Sequence, residues 1–263
     1  MSLTLLHAIS VGPSLFVCAG CALFFVLRYA LTEDRRDWRM FLCAFVPLVG
    51  TMLCTWVANR EGAWMTTRYD LFVYRFDLAL GEPSFRLGGI LLTHFWGVWI
   101  VNFAYGLLSA AVMALLMGYA WKPEPELRTV VLALLLNFVV APILYLIFPV
   151  SGPQFAFAGF PHRPAVIAPH VIHLASAPNG VPSVHFSTAL LIWWYARRWT
   201  TGRFAALIYL ILTVLSTLAS GQHYTFDLIW AFPYALAMAV LAQRFTPTRP
   251  GDSYVVAGAE MLS

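Results

Sequence analysis

The chain has 263 residues, 60% of them hydrophobic and only 11% charged, with a formal net charge of +4. A soluble domain carries about 25% charged residues, so this composition excludes a soluble globular protein and indicates an all-α, polytopic transmembrane helical bundle. The 16 Lys and Arg residues gather at the ends of apolar runs, a membrane-topology pattern that excludes a nucleic-acid partner.

A hydrocarbon core takes about 20 apolar residues per helix. Seven candidate spans meet that requirement, at 9–31, 39–58, 92–119, 127–149, 183–199, 203–220 and 226–245. The first run starts almost at Met1, lacks a basic leader and ends in Arg28 and Glu33-Asp34-Arg35-Arg36, so it does not read as a cleaved signal peptide. Cys18, Cys21, Cys43 and Cys54 lie inside apolar runs and read as packing residues, not as a metal or redox site. Residues 59–91 interleave Arg68, Asp70, Arg75 and Asp77 with Trp, Tyr, Phe and Leu, which reads as a helix lying in the interface. Those charges, with His94, read as interfacial anchors; shaping a head-group pocket is the alternative. The third span is long, and its start reads as a possible interfacial segment. Residues 150–182, rich in Pro, Gly, Ala and His, read as an ordered loop over the outer mouth. The whole chain is one integral membrane domain, 1–263, with six to seven spans and a flexible cytoplasmic tail over 246–263.

Cytoplasmic loops carry the excess of Lys and Arg. Placing Arg28, Arg35, Arg36, Arg39, Lys122, Arg128, Arg197, Arg198, Arg203, Arg244 and Arg249 inside leaves Arg60, Arg68, Arg75, Arg86 and Arg163 outside. The N-terminus is then outside and the C-terminus inside. Compact loops suggest a bacterial inner membrane.

Two polar clusters stand at that outer face, each before a long apolar run: Asn179-Gly180-Val181-Pro182-Ser183-Val184-His185 and Ser220-Gly221-Gln222-His223-Tyr224-Thr225-Phe226-Asp227. Ionisable groups inside membrane segments mark functional sites. His223 and Asp227 are four residues apart, so a helix starting near Tyr224 puts them on one face. Asp227 then accepts the Nδ1 proton of His223 and leaves Nε2 as a nucleophile. Gly180 and Pro182 suit a turn opening a helix, with Pro182 in its first turn. Free amides there, with the Ser183 hydroxyl, suit phosphate oxygens. His185 is placed to protonate a leaving oxygen. His162, His170 and His173 have no carboxylate or thiolate beside them, so no metal and no cofactor is expected.

Pro182-Ser183-Val184-His185 resembles the second motif of the type 2 phosphatidic acid phosphatase superfamily, and His223-xxx-Asp227 resembles the third. The resemblance covers 150–245 and implies a six-helix core with His223 as nucleophile, Asp227 as its activating partner and His185 as general acid. Arg163-Pro164 fits the end of the first motif, which implies phosphate binding by Arg163, but the lysine of that motif falls on Ala156. The arginine of the third motif falls on Thr217, next to Ser216. His223-Tyr224-Thr225-Phe226-Asp227 is similar to sphingomyelin synthases, and Pro-Ser-hydrophobic-His to inositol phosphorylceramide synthases. Gly180, Ser183, Arg163 and Tyr224 complete the expected phosphate-binding set.

Losing two cations suits a phosphodiester, which carries less charge than a monoester. The sequence therefore indicates a lipid phosphotransferase that moves a phosphoryl-linked head group from a phospholipid donor to a lipid alcohol through phosphohistidine. A lipid phosphate phosphatase, with water as acceptor, is the close alternative. A non-catalytic lipid transporter or binding protein is the rival of another class.

Overall fold

The computed structural model describes residues 3–64, 69–162 and 180–246, with side chains in the first segment described over 14–56. The described residues form helices and no strand. In chain order these are α1 Leu3–Thr32, α2 Arg35–Trp64, α3 Asp70–Ala79, α4 Pro83–Leu91, α5 Phe95–Gly106, α6 Leu108–Ala120, α7 Glu124–Ile147, α8 Pro153–Ala156, α9 Val184–Ala196, α10 Thr200–Ala219 and α11 Thr225–Phe245. The chain is an all-helical membrane bundle. Five helices are long and apolar enough to cross a bilayer: Ser14–Thr32, Arg35–Trp56, Glu124–Ile147, Thr200–Ala219 and Thr225–Phe245. α5 and α6, bent by 46° at their junction, make a sixth if they act as one span.

Two expected spans differ from the structure. The run 92–119 is the broken pair α5 and α6, with the break at Gly106-Leu107, where glycine weakens the helix. The run 183–199 holds only the 13 residues of α9. At about 1.5 Å per residue such a helix is roughly 20 Å long, short of a hydrocarbon core of about 30 Å. The chain before it is pinned by three hydrogen bonds. The Gly180 amide donates to Val150 O (2.8 Å), Tyr145 OH donates to Pro182 O (3.3 Å), and the Ser183 amide donates to Asp227 O (3.3 Å). The expected interfacial helix over 59–91 also divides: α2 continues to Trp64, and α3 and α4 follow as separate short helices.

α2 packs on α6 and α7, α9 pairs with α10, and α11 lies against α7 and α9. The core between them is built from Val112 and Leu116 of α6, Leu134 of α7, Leu191 of α9 and Met238 of α11. A polar knot pins three helices within this core. Asn137 of α7 donates to Thr188 Oγ1 (2.9 Å), accepts from Ser187 Oγ (2.7 Å), and its carbonyl accepts from Tyr234 OH (2.6 Å). Without water every such group needs an internal partner, so the knot fixes the register of α7, α9 and α11. Large side chains such as Phe16, Leu31, Ile147, Ile229 and Phe232 face outward, as lipid contact requires.

The basic residues mark one end of the bundle. Arg39 donates to Lys122 O (2.8 Å), Arg28 pairs with Asp37 (3.3 Å), and Arg198 pairs with Glu126 (2.9 Å). These contacts gather the α1–α2, α6–α7 and α9–α10 junctions. His185 lies at the other end of α9 from Arg197, so the polar clusters occupy the opposite end.

At that end residues 150–162 pack over the bundle, with α3 against α8 and α11, and α4 against α10. Gly152 has φ +98°, and a Cβ there would come within 2.2 Å of Gln222 O. Gly152→Ala therefore forces residues 150–162 away from the 220–224 turn, since a backbone oxygen cannot rotate aside. A loss of about 1–3 kcal/mol is expected, read as a lowered thermal midpoint of the detergent-solubilised protein.

Candidate active site

The second polar cluster is a folded-back turn. After α10 the chain reverses at Gly221 (φ +69°), where a Cβ would meet the Phe160 ring at 2.7 Å. The His223 amide then donates back to Thr217 O (3.3 Å). Tyr224 is the N-cap of α11, as the spacing predicts. Asp227 closes the first turn: its Oδ2 accepts from the Tyr224 amide (2.9 Å) and lies 3.2 Å from His223 Nδ1. Both side chains are buried, His223 at 2% and Asp227 at 0% exposure. With Asp227 as acceptor, Nδ1 of His223 carries the proton and Nε2 holds the lone pair. Asp227 Oδ1 is buried without a hydrogen-bond partner among the described residues.

The first polar cluster meets this turn directly, because the Ser183 amide donates to Asp227 O. His185 is the second residue of α9. Its ring stacks on Tyr105 of α5, with centroids 3.7 Å apart and planes 25° off parallel. The His185 and His223 ring centroids are 6.5 Å apart. A tetrahedral phosphoryl group between the rings can be attacked by one and hydrogen-bonded by the other.

The expected phosphate-binding set is rearranged. Pro182 precedes the N-cap Ser183 and does not enter the first turn of α9. The Gly180 amide is spent on Val150 O, and a Cβ at Gly180 would meet Val150 Cβ at 2.8 Å, so glycine serves close packing there. Ser183 Oγ accepts from the Phe186 amide (3.3 Å), so the hydroxyl caps its own helix. The Tyr224 phenol points away from the histidines and donates to Asp70 Oδ1 (3.2 Å). Thr217 Oγ1 donates to Thr213 O (2.7 Å) and Ser216 Oγ to the same carbonyl (3.1 Å). Arg163, His170 and His173 lie outside the described residues. Among the described residues no three His, Cys, Asp or Glu side chains gather where a metal could bind.

Sequence reasoning missed Tyr105, and it read Asp70 and Asp77 as interfacial anchors. Both carboxylates are buried. Asp70 accepts from the Ser151 amide (3.0 Å) and the Gly152 amide (3.0 Å) as well as from Tyr224, and so ties the 150–152 chain to the His223 turn. Asp77 Oδ1 accepts from the Thr225 amide (2.9 Å). Their spacing of seven residues puts both on one face of α3 while Arg75 stays exposed. That spacing was the available signal. Burial pushes the Asp70 carboxyl up to about 6 against the opposing pull of the Ser151 and Gly152 amides and of Tyr224, and burial pushes Asp77 up to about 6 against the Thr225 amide.

A family model described as PAP2 superfamily matches residues 71–241. No curated protein and no solved structure matches the chain.

The raised Asp70 carboxyl has a definite thermodynamic sign. Its folded value, about 6, lies above an ordinary carboxyl value of 3.8, so the stability linked to its proton is complete below the ordinary value and is lost as pH rises through the folded one. Asp70→Asn keeps an acceptor for both amides and removes the titration. Thermal midpoints in detergent are expected to fall from pH about 4 to 7 in the wild type and to fall less in Asp70→Asn; parallel curves would contradict this.

Proposed function

We propose that this chain, which belongs to the PAP2 superfamily, is a lipid phosphotransferase that carries a phosphoryl-linked head group from a phospholipid donor to a lipid alcohol. Superfamily membership and the apolar helices make it a membrane protein of lipid-phosphatase type. The observation that carries the finer reading is the convergence of His185 and His223, 6.5 Å apart, with Asp227 on the far nitrogen of His223.

In the first half-reaction Nε2 of His223 attacks phosphorus and forms an N–P bond. The bond from phosphorus to the donor's bridging oxygen breaks, and His185 gives its proton to that oxygen, releasing the donor's alcohol. The His223 ring becomes cationic, and the Asp227 carboxylate stabilises that charge through the Nδ1 proton. In the second half-reaction neutral His185 takes the proton of the acceptor hydroxyl. The acceptor oxygen bonds to phosphorus, the N–P bond breaks, and both histidines return to their starting states. No step uses a metal or an organic cofactor.

The choice of a phosphodiester donor over a phosphate monoester rests on charge. Thr217 stands where phosphatases of the superfamily carry arginine, and its hydroxyl is spent on Thr213 O. The arginine pairs among the described residues, such as Arg28–Asp37 and Arg198–Glu126, lie at the other end of the bundle. With Ala156 and Thr217 at two positions where the superfamily's phosphatases carry cations, a substrate with one negative charge is favoured. The polarity of the basic residues supports a site at the outer, periplasmic face of a bacterial inner membrane.

The test is a substrate panel on purified protein: labelled phosphatidate, a polyprenyl diphosphate, and a phospholipid supplied with ceramide or diacylglycerol. Head-group exchange is expected with the phospholipid and alcohol pair. Inorganic phosphate alone, without exchange, would make the protein a phosphatase. Lipid flux without turnover would make it a transporter on the same scaffold. His223→Ala is expected to abolish turnover, and His185→Ala and Asp227→Asn to lower kcat by about 10²–10⁴-fold with folding intact. Wild-type rates in Asp227→Asn would remove its orienting role.

A further inference from the structure

α3 and α4 contain none of the three residues that carry the proposed chemistry, yet they grip the segment that presents the nucleophile. Asp77 Oδ1 accepts from the Thr225 amide (2.9 Å). Ser84, fully buried at the start of α4, has its Oγ 3.2 Å from Asp77 Oδ2 and 3.1 Å from the main-chain carbonyl of His223. Residues 223 and 225 are thus held from the same side, on either side of the N-cap Tyr224.

The proton count is informative. The Ser84 hydroxyl has one proton and two acceptors, a carboxylate oxygen and a carbonyl oxygen. With Asp77 ionised, the charged oxygen is the stronger acceptor and draws that proton, leaving the buried His223 carbonyl without it. With a proton on Asp77 Oδ2, Asp77 donates to Ser84 Oγ and Ser84 donates to His223 O, so all three oxygens are satisfied. We propose that Asp77 and Ser84 are positioning residues for the nucleophile, forming a proton-dependent relay from the α3 carboxyl through the Ser84 hydroxyl to the His223 carbonyl that sets how the His223 ring meets phosphorus. The relay rests on His223 being the nucleophile.

The carboxyl that governs it is 1% exposed, and burial pushes it up to about 6. The relay is therefore closed below that value and opens as pH rises through it. The charged and titratable groups around Asp77 include Asp227 and the N-cap Tyr224 of α11, His223 before it, Asp70 and the exposed Arg75 of α3, Glu82 at the α3–α4 junction and the exposed Arg86 of α4. The nearby Asp227 charge pushes Asp77 in the same direction as burial.

Asp77→Asn is the isosteric copy of the closed state. Its carbonyl accepts from the Thr225 amide and its NH₂ donates to Ser84 at every pH. Asp77→Ala and Ser84→Ala break the relay. The experiment measures kcat and KM from pH about 5 to 8 for the wild type and these three variants, with thermal midpoints alongside. Both alanine variants are expected to lose kcat by about tenfold or more with KM within about twofold. Asp77→Asn is expected to recover most of that loss, and its kcat relative to wild type is expected to rise with pH by about threefold or more. Equal losses in Asp77→Asn and Asp77→Ala, or a pH-independent ratio, would overturn the proposal. Infrared titration reads the relay without turnover. Part of the carboxylic acid C=O band should titrate near pH 6 and be missing in Asp77→Asn. An unchanged band would overturn the relay even in an active enzyme, whereas loss of that band in a protein inactive on every substrate would sink only the enzymatic reading.

Discussion

The bundle end is organised by one carboxylate. Asp227 is fully buried, where a charge is unstable unless donors converge on it. Its Oδ2 collects the Tyr224 amide and the His223 ring, and its main-chain oxygen collects the Ser183 amide. The single residue thus starts α11, orients one histidine and docks the helix that carries the other.

Around that centre lies a second layer of buried polar groups, each closing a gap between chain segments far apart in sequence. Asp70 holds residues 151 and 152 and the Tyr224 phenol, Asp77 and Ser84 hold residues 223 and 225, and Asn137 locks α7, α9 and α11 below. Buried unsatisfied backbone groups are too costly to leave, so irregular chain buried in the protein demands such partners. The 150–152 and 220–224 segments are the irregular backbone that the site requires; α3 supplies carboxylate acceptors to the amides of residues 151, 152 and 225, and α4 supplies the Ser84 donor to the His223 carbonyl. The short helices between α2 and α5 thus hold the turn that carries His223, which reading their charges as interfacial anchors did not suggest.

What was legible in the sequence was local. The spacing of His223 and Asp227 on one helix face, and the turn residues before His185, could be read because helix geometry fixes such relations within a few residues. The seven apolar runs were equally visible, but hydropathy could not separate a full span from the short α9, since both are equally apolar. Tyr105 and Ser84 were out of reach for a different reason. Ser84 and His223 are 139 residues apart, and no periodicity links them. Tyr224 shows the opposite hazard: its place beside His223 suggested phosphate contact, whereas the first helical turn aims its phenol at Asp70. Gly180 and Ser183 likewise stand near the site while their polar groups are engaged in packing and capping.

The account depends on a single phosphorus atom being shared by two rings. A structure of the protein with bound vanadate tests this most directly. The account predicts vanadium bonded to Nε2 of His223, an apical oxygen within hydrogen-bond distance of His185, and Asp227 still on Nδ1. Vanadate bound elsewhere, or at His223 with His185 turned away from it, would contradict it.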